Sequence, residues 1–470
     1  MSCAGSRRVT REEVEHHPSS YVDPAGYLFR HEGQLYRAIR RGHADFYRAL
    51  LADGTAQRLS AERGLVTARE ADLALDDDDV DLVLQHEEVT PQTYCVEWCP
   101  AMLLEAARTT VELLAEVTRL DATLQDAYPW NVLFDGARPV MVDFTSIAPV
   151  QSPLPWPALE QFRAFFQRPL DLAARGRGRL ARVLLQDNIN GIPLGQFTQA
   201  MPAAYRARHP VAGLSVWLDG FVQRRPELKK KLRGAALKGE PASRAVRQRF
   251  ADGLARRLDG YRFEQSEDVW SVYYQQIDPQ VDKERKLSQV GQLLERLAPA
   301  TVLDAGCNVG VFSLLAARQG ARVISVDTSE ACINRLYAEA RREDLPITPL
   351  VADLLCPTPA FGFMGEQYPA LPVRVRGEAV LCLALMHHLH IAGRQSFERI
   401  ARLFDALSAR YLIFEFVAMD DANNDLIGAG REIGYDLDQV TAALARHFPT
   451  IETMDSDRPT RKLLLCEKPR

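Results

Sequence analysis

The sequence predicts a two-domain protein in which an α+β domain precedes an α/β domain built on a mostly parallel sheet. The chain has 470 residues, which exceeds the length over which one hydrophobic core usually keeps growing. In the C-terminal half, short apolar strand-like runs alternate with helix-like segments, a pattern typical of parallel strands joined by helices. We place the domain boundary near Phe263. We therefore expect a flexible leader over residues 1–20, one domain over 21–262 and a second over 263–470.

The composition is that of an ordinary globular protein. Hydrophobic residues make up 47% of the chain and charged residues 25%, and a formal net charge of −5 supplies no excess of cations for binding phosphates. Nucleic acid is therefore not an expected partner. No apolar run approaches the length of a membrane helix or of a secretory signal, so we expect a cytoplasmic protein without a membrane partner. The 8 cysteines lack paired Cys-x-x-Cys spacing, which predicts reduced thiols and no metal site.

The first half of the chain combines strand patterns with helical patterns. The runs Tyr27–Phe29 and Leu35–Ile39 flank a turn and predict two paired strands. Between Met102 and Leu120, apolar residues recur at the spacing of a helix with one buried face. From Trp156 to about Arg262 the pattern stays helical. These elements together predict the α+β domain.

Acidic and amide side chains follow the predicted helix in the order Asp, Asn, Asp. Asp126 and Asn131 lie shortly after the helix, and Asp143 follows a strand-like run at Val140–Val142. This order resembles the catalytic and metal loops of aminoglycoside-phosphotransferase-like and protein-kinase-like enzymes. The resemblance implies a kinase-like domain in which Asp126 would orient a hydroxyl, while Asn131 and Asp143 would hold Mg with ATP.

Other parts of a phosphotransfer site are missing from this half. Residues 20–100 contain neither a glycine-rich phosphate loop nor any lysine, and Arg40 is a poor substitute because a guanidinium differs from an ammonium in geometry and hydration. We therefore favour a kinase-like domain that does not transfer phosphate, with Asp126, Asn131 and Asp143 as a vestigial site. The alternative is a bifunctional enzyme whose N-terminal half is an ATP- and Mg-dependent phosphotransferase.

A glycine turn opens the C-terminal half. The strand-like run Thr301–Leu303 is followed by Asp304, Gly306, Asn308 and Gly310, and then by a helix-like segment. Glycines let the backbone turn tightly and let a ligand approach closely, while a helix N-terminus offers free N–H groups. The glycine offsets differ from those of the dinucleotide fingerprint G-x-G-x-x-G. The turn therefore predicts a site for a nucleotide-like ligand other than a dinucleotide.

Further acids follow the next predicted strands. Asp327 ends the second strand, where its carboxylate could accept both hydroxyls of a ribose. The run Leu350–Leu354 predicts a third strand, in which Asp353 is placed to bond an adenine amino group. Ala379–Leu385 predicts a fourth strand and Tyr411–Phe416 a fifth. Two apolar segments, near Ile451 and at Leu463–Cys466, complete the predicted sheet.

The ordered set of these segments resembles the class I S-adenosylmethionine-dependent methyltransferases. The resemblance implies a Rossmann-like seven-stranded sheet and S-adenosylmethionine as the cofactor. It implies binding roles for the residues that match the family's motifs, which are Asp304, Gly306, Asn308, Gly310, Asp327, Asp353, Leu354 and Leu383. More narrowly, the glycine turn, His387–Leu389 and Phe414–Phe416 resemble nodulation-protein-like methyltransferases with long N-terminal extensions.

Methyl transfer from a sulfonium is an in-line displacement, in which holding donor and acceptor in near-attack geometry supplies much of the acceleration. A base is needed only when the acceptor carries a proton. His387 and His388 follow the fourth strand at the edge where ligands collect, and Glu415 lies in the fifth strand, so these are the candidate bases. We expect a small-molecule or peptide-like acceptor. A protein that uses the cofactor only as a structural ligand is a further alternative.

Overall fold

The computed structural model describes residues 7–20, 23–208, 218, 221–222, 224–236, 238–263, 283–421 and 434–469. Within these residues, no helix is both long enough and apolar enough to cross a membrane. The predicted boundary near Phe263 adjoins residues 264–282, which lie outside the described part of the chain.

A five-stranded sheet and three strand pairs form the β structure of the N-terminal half. The five-stranded sheet has the order β2-β3-β4-β7-β5, and its neighbours are all antiparallel. The pairs are β1 with β6, β9 with β10 and β8 with β11. The strands are β1 (Arg7–Val9), β2 (Glu15–His16), β3 (Gly26–His31), β4 (Gln34–Arg40), β5 (Ala68–Glu70), β6 (Leu73–Leu75), β7 (Val80–His86), β8 (Ala122–Leu124), β9 (Val132–Asp135), β10 (Arg138–Met141) and β11 (Ile147–Pro149).

Helices make up most of the rest of this half. A π-helical segment, Arg163–Gln167, joins the fourth helix to the fifth. The helices are α1 (Ala44–Ala52), α2 (Thr55–Arg63), α3 (Pro100–Arg119), α4 (Leu159–Phe162), α5 (Arg168–Ala173), α6 (Gly178–Leu184), α7 (Leu194–Ala200), α8 (Ala203–Arg208), α9 (Pro226–Ala236) and α10 (Arg244–Asp259). The long helix α3 and the strand pair β3–β4 confirm the corresponding sequence predictions.

The expectation of a flexible leader over residues 1–20 is wrong for residues 7–20. Strand β1 pairs with β6, and β2 pairs with β3. The Ser19 hydroxyl donates a hydrogen bond of 2.7 Å to the carbonyl oxygen of Gln367, in the other half of the chain. The segment lacks a periodic apolar signal because its strands are two or three residues long, which is too short to reveal a period.

The C-terminal half is built on a seven-stranded sheet in the order β14-β13-β12-β15-β16-β18-β17. The first five strands in this order are parallel, and β18 runs antiparallel to both of its neighbours. The strands are β12 (Thr301–Ala305), β13 (Arg322–Asp327), β14 (Ile347–Val351), β15 (Gly377–Cys382), β16 (Ser408–Val417), β17 (Thr450–Asp455) and β18 (Arg461–Glu467). The sheet confirms the predicted α/β fold with a mostly parallel sheet.

Helices connect these strands and cover the sheet. They are α11 (Lys283–Leu297), α12 (Val311–Arg318), α13 (Glu330–Glu343), α14 (Leu371–Arg374), α15 (Phe397–Leu407) and α16 (Leu437–Ala445). The chain leaves β12 at its carboxyl end, crosses through α12 to β13 and then through α13 to β14. The order of the strands reverses at β12, because β13 lies on one side of it and β15 on the other. Ligands of open α/β sheets collect at such a switch point, beyond the carboxyl ends of the strands.

The two halves of the chain share one continuous hydrophobic core. At their contact, Arg374 in α14 forms an ion pair with Glu97, with 2.5 Å between Nη2 and Oε1, and the side chains are only 3% and 0% exposed. The Arg374 guanidinium also lies 4.0 Å from the ring centroid of Tyr94. Tyr94 packs edge-on against Phe361 and Tyr368 of the C-terminal half. The contact is therefore partly apolar, with one ion pair withdrawn from water at its centre.

Replacing Arg374 should destabilise the whole chain. The change Arg374→Met leaves the Glu97 carboxylate buried without its partner, and removing one member of a buried pair costs roughly 3–5 kcal/mol. Urea unfolding of the full chain measures this loss in the free energy of unfolding. Arg138→Gln is the matched control, because it breaks an ion pair between the halves, with Asp344, whose side chains are 67% and 69% exposed. The control should cost less than about 1 kcal/mol, and equal losses in the two variants would contradict the prediction.

Candidate functional site

A left-handed turn joins β12 to α12. Gly306, Asn308 and Gly310 have φ values of 77°, 51° and 82°. Such values are uncommon for residues other than glycine, and asparagine is one of the few that tolerates them. At Gly310 a Cβ atom would also collide with the side chain of Leu336 in α13. The turn thus needs glycine at Gly310 for two reasons, conformation and close packing.

Asp304 fastens this turn to the helix that follows it. Its side chain is buried, and the Ser313 hydroxyl in α12 donates a hydrogen bond of 2.6 Å to its Oδ2. The Ser325 hydroxyl in β13 donates in turn to the Ser313 oxygen at 2.8 Å. Burial raises the pKa of Asp304 to about 6, although the hydrogen bond from Ser313 acts in the opposite direction. Asp304 therefore links two strands and a helix at the base of the turn.

Asp327 stands beside the turn at the end of β13. Its Oδ2 accepts a hydrogen bond of 2.8 Å from the backbone N–H of Asn308, and its Oδ1 accepts one of 2.8 Å from the backbone N–H of Ser329. These two bonds orient the carboxylate and hold the glycine turn against β13. The structure thus brings Asp304, Asn308 and Asp327 together at the carboxyl edge of the sheet. The role of Asp327 in binding a ribose stays a prediction.

The third strand, Ile347–Val351, begins and ends three residues earlier than predicted. It ends at Val351, so Asp353 and Leu354 lie in the loop that follows it rather than in the strand. Asp353 is exposed, and its Oδ1 accepts a hydrogen bond of 2.8 Å from the backbone N–H of Leu355. Leu354 is half-buried and packs against the core. The strand ends early because the loop turns at Asp353, an aspartate that bonds the backbone two residues further on.

The segment after β15 reaches the glycine turn. Leu383 is buried, and Ala384 has a φ of 55°, which is unusual for alanine. This bend directs Leu385 toward the turn, where a Cβ on Gly306 would lie 3.2 Å from Leu385 Cδ1. A π-helical segment, His388–Ala392, follows directly. Such segments are frequent at functional sites.

His387 lies just before this π-helical segment and is only 5% exposed. Within the described part of the chain, its Nδ1 has no hydrogen-bond partner. Burial first, and then the neighbouring His388 and Arg461, lower the pKa of His387 to about 3. Burial also lowers the pKa of His388, whose ring centroid lies 4.3 Å from that of His387. Both imidazoles are therefore neutral near pH 7.

Glu415, the third candidate base, is engaged elsewhere. Its side chain is 0% exposed, and Lys286 Nζ lies 2.6 Å from its Oε2. The Ser456 hydroxyl donates a hydrogen bond of 2.7 Å to its Oε1. Both oxygens of Glu415 are therefore engaged by the protein, whereas His387 Nδ1 has no partner among the described residues. The geometry thus favours His387 over Glu415.

The N-terminal half brings its three predicted residues into one cluster. The Asn131 amide donates a hydrogen bond of 3.2 Å to Asp143 Oδ2, and the Thr145 hydroxyl lies 2.9 Å from Asp143 Oδ1. Burial first, and then the charge of Asp143, raise the pKa of Asp126. No group of three or more His, Cys, Asp or Glu side chains that could hold a metal ion occurs among the described residues. The three predicted residues therefore lie close together, but the described residues offer no group of side chains that could hold a metal ion.

Sequence reasoning missed Arg37, a member of this cluster. Its Nη1 lies 3.3 Å from Asp143 Oδ1 and donates a hydrogen bond of 2.6 Å to Thr145 Oγ1, and its side chain is 6% exposed. Arg40, which we considered in place of a lysine, instead forms an ion pair with Asp79 at the surface. The alternation of side chains along β4 could have revealed Arg37, because it places this residue on the same face of the strand as the apolar Leu35 and Ile39.

Comparisons with known proteins agree with the C-terminal part of this description. Residues 281–426 match the family model of a methyltransferase domain. Nodulation protein NoeA of Rhizobium meliloti (strain 1021) is 25% identical over 422 residues, which cover 88% of this chain and 87% of that protein. The protein is therefore an S-adenosylmethionine-dependent methyltransferase.

Solved structures are similar to only part of the chain. The N-methyltransferase NodS from Bradyrhizobium japonicum WM9 is 16% identical and covers 44% of this chain and 95% of its own, with a TM-score of 0.31. The bifunctional kinase-methyltransferase WbdD is 18% identical and covers 40% of this chain and 39% of its own, with a TM-score of 0.29.

A methyl group at Gly310 should disrupt the turn. Gly310→Ala adds a Cβ that collides with Leu336, so we expect a loss of about 2–4 kcal/mol from left-handed strain and overpacking together. Gly320→Ala is the matched control, because Gly320 has a φ of 99° and no atom within 4 Å of an added Cβ. The control should lose only about 1–2 kcal/mol from strain. Thermal unfolding of both variants tests this, and equal losses would contradict the packing argument.

Proposed function

We propose that the protein transfers a methyl group from S-adenosylmethionine to a small-molecule or peptide-like acceptor, with His387 receiving the acceptor's proton. The observation that carries this proposal is the buried Nδ1 of His387, which has no partner among the described residues and lies two residues beyond a leucine that packs on the glycine turn. The residues of the turn supply the cofactor site. The His387 imidazole is neutral near pH 7 and so has a free lone pair, but the burial that lowers its pKa to about 3 also makes it a weaker base than an exposed histidine.

The cofactor residues proposed here fit the chemistry of an adenosylated ligand. Gly306 and Gly310 take the left-handed conformations that form the tight turn, and Asp327 offers carboxylate oxygens for the ribose hydroxyls. Asp353 and Leu354, in the loop after β14, flank the expected position of the adenine. The cofactor itself provides an activated methyl group when bound. The protein's contribution is to orient the sulfonium toward the acceptor and to exclude water.

For the N-terminal half we propose a kinase-like fold that binds the acceptor or acts as a scaffold, without transferring phosphate. The proximity of Asp126, Asn131 and Asp143 supports the kinase-like part of this proposal. The ion pair of Arg37 with Asp143 supports the rest, because it occupies an oxygen that a metal ion would need. Trp130, next to Asn131, packs against Phe361 of the methyltransferase half at 6.2 Å between ring centroids, which supports a scaffolding role.

Calorimetry separates this proposal from its main alternative. We expect S-adenosylhomocysteine to bind the full chain, and Asp327→Ala to weaken binding by about tenfold or more, because hydrogen bonds to a charged group are lost. ATP with Mg should produce no binding heat, and Asp143→Ala should bind S-adenosylhomocysteine as the unmodified chain does. ATP binding that disappears in Asp143→Ala would instead favour a bifunctional enzyme, and absence of S-adenosylhomocysteine binding would contradict the proposed cofactor site.

The proton acceptor can be tested by transfer of a labelled methyl group from S-adenosylmethionine to a panel of small-molecule and peptide acceptors. His387→Asn should lower kcat by roughly 10²–10⁴-fold, the usual contribution of a general base, and should leave the affinity for S-adenosylhomocysteine unchanged. His388→Asn is the matched control and should lower kcat much less. A larger loss in His388→Asn than in His387→Asn would assign the proton to His388. Turnover of any acceptor also excludes a purely structural role for the cofactor.

A further inference from the structure

The loop that joins β14 to α14, residues 352–370, begins at the residues that we assign to the adenine and then runs against the N-terminal half. Asp353 and Leu354 lie at its start. Phe361 and Tyr368, further along, contact aromatic side chains of the N-terminal half. The β14–α14 loop therefore connects the proposed cofactor site with the other half of the chain.

Four aromatic rings form the contact between this loop and the N-terminal half. Tyr94 meets Phe361 and Tyr368 edge-on, with 5.4 Å between ring centroids in each pair. Trp130 meets the same two rings, with 6.2 Å between centroids in each pair. Edge-to-face pairs at such distances are favourable beyond the area that they bury. We refer to these four residues, of which Tyr94, Trp130 and Tyr368 are buried, as the aromatic junction.

The two rings on the loop side of the junction are held together by bonds of their own. Phe361 and Tyr368 stack with 4.7 Å between ring centroids. The backbone N–H of each donates a hydrogen bond to the carbonyl oxygen of the other, at 3.1 and 3.2 Å. The Ser19 hydroxyl, from the N-terminal half, donates to the carbonyl oxygen of the adjacent Gln367. The pair is therefore tied to the N-terminal half by both packing and a hydrogen bond.

A short and stiff stretch of chain joins the junction to Asp353. Two of the few residues between Asp353 and Phe361 are prolines, Pro357 and Pro359, whose rings fix the backbone φ. The backbone N–H of Cys356 donates a hydrogen bond of 3.1 Å to the carbonyl oxygen of Asp353, which closes a turn there. Because this stretch has little freedom, the position of Phe361 restricts the position of the Asp353 carboxylate.

The same loop also touches the segment after β15. An added Cβ atom on Gly393 would collide with the side chain of Leu355, so these two residues are in close contact. Gly393 directly follows the π-helical segment His388–Ala392. The β14–α14 loop is thus packed between the N-terminal half and the carboxyl edge of the sheet.

We propose that Tyr94 and Trp130 are positioning residues for the cofactor, because they hold the β14–α14 loop where Asp353 reaches the adenine amino group. This inference rests on the cofactor site proposed above. Neither ring is catalytic, since each acts on Asp353 through Phe361 and Tyr368. The N-terminal half thereby contributes to the selectivity of the methyltransferase half for adenine, in addition to the roles proposed for it above.

Hydrogen exchange of the full chain without ligand tests whether the junction holds the loop. The backbone N–H groups of Leu355 and Cys356 bond to oxygens of Asp353, so their exchange rates report on the turn at that residue. Trp130→Leu removes two of the aromatic contacts with the loop. We expect these two N–H groups to exchange about tenfold faster in this variant.

Trp156→Leu is the matched control. Trp156 is also a buried tryptophan of the N-terminal half, but it packs against Phe162 and donates to the carbonyl oxygen of Leu124, both in the same half. Its replacement removes a similar volume from the core and should destabilise the chain to a similar extent. It should leave the exchange at Leu355 and Cys356 unchanged.

Calorimetry with two ligands tests whether the position of the loop matters to the cofactor. S-inosylhomocysteine carries an oxygen where S-adenosylhomocysteine has the adenine amino group. The unmodified chain should bind S-adenosylhomocysteine about tenfold or more tightly than the inosyl compound, because the bond from the amino group to the Asp353 carboxylate is lost. Trp130→Leu should reduce this preference to about threefold or less. Trp156→Leu should retain the preference, since loss of stability alone changes the binding of both ligands equally.

Phe361→Leu is the second variant in case Trp130→Leu fails to fold, and the same results are expected for it. Faster exchange together with a reduced preference in either variant, with neither change in Trp156→Leu, supports the inference. Unchanged exchange or an unchanged preference in a folded Trp130→Leu or Phe361→Leu variant overturns it, and so do equal changes in Trp156→Leu.

Failure of the proposed cofactor site gives a different result. If the unmodified chain binds neither ligand, that site is contradicted, whereas the exchange rates still support or overturn the anchoring of the loop by the junction. If the unmodified chain binds both ligands equally, the cofactor site stands, and the inference is overturned because Asp353 does not read the amino group.

Discussion

Close packing around the glycine turn is the constraint on which the rest of the methyltransferase half depends. The turn must take left-handed conformations while Leu336 and Leu385 press against it from two sides. Asp304 accepts a hydrogen bond from Ser313 in the helix that follows the turn, and Asp327 accepts one from the backbone N–H of Asn308 within the turn. Because these contacts come from different strands and helices, the turn forms only when the central strands of the sheet are aligned.

The same alignment brings together the segments that follow β12 and β15 at the carboxyl edge of the sheet. Strand β15 lies next to β12, so the segment that follows β15 meets the turn that follows β12. The bend at Ala384 lets Leu385 pack on Gly306 and buries His387 with one nitrogen unpartnered among the described residues. The N-terminal half packs against the methyltransferase half through a shared core and through the buried ion pair of Glu97 with Arg374.

The two halves differ in how their polar residues are used. In the methyltransferase half, Glu415 is paired with Lys286, whereas Nδ1 of His387, the base that we propose, has no partner among the described residues. In the N-terminal half, Arg37 is paired with Asp143, and this pairing argues against a metal ion there. In both cases a cation that is distant in the sequence pairs with a carboxylate and occupies oxygens that could otherwise bind a proton or a metal ion, because a carboxylate withdrawn from water needs a partner.

The sequence by itself determined the alternation of strands and helices, the glycine turn and the acid at the end of β13, because these depend on local periodicity and on the backbone freedom of particular residues. It also made His387, two residues after a predicted strand, a candidate base. Only the tertiary structure decided which candidate base lacks a partner among the described residues and which is paired with a cation. Lys286 lies 129 positions from Glu415 in the chain, and Arg37 lies over a hundred from Asp143 or Thr145. Such pairings leave no periodic signal, because they arise from burial and charge after distant elements have packed together.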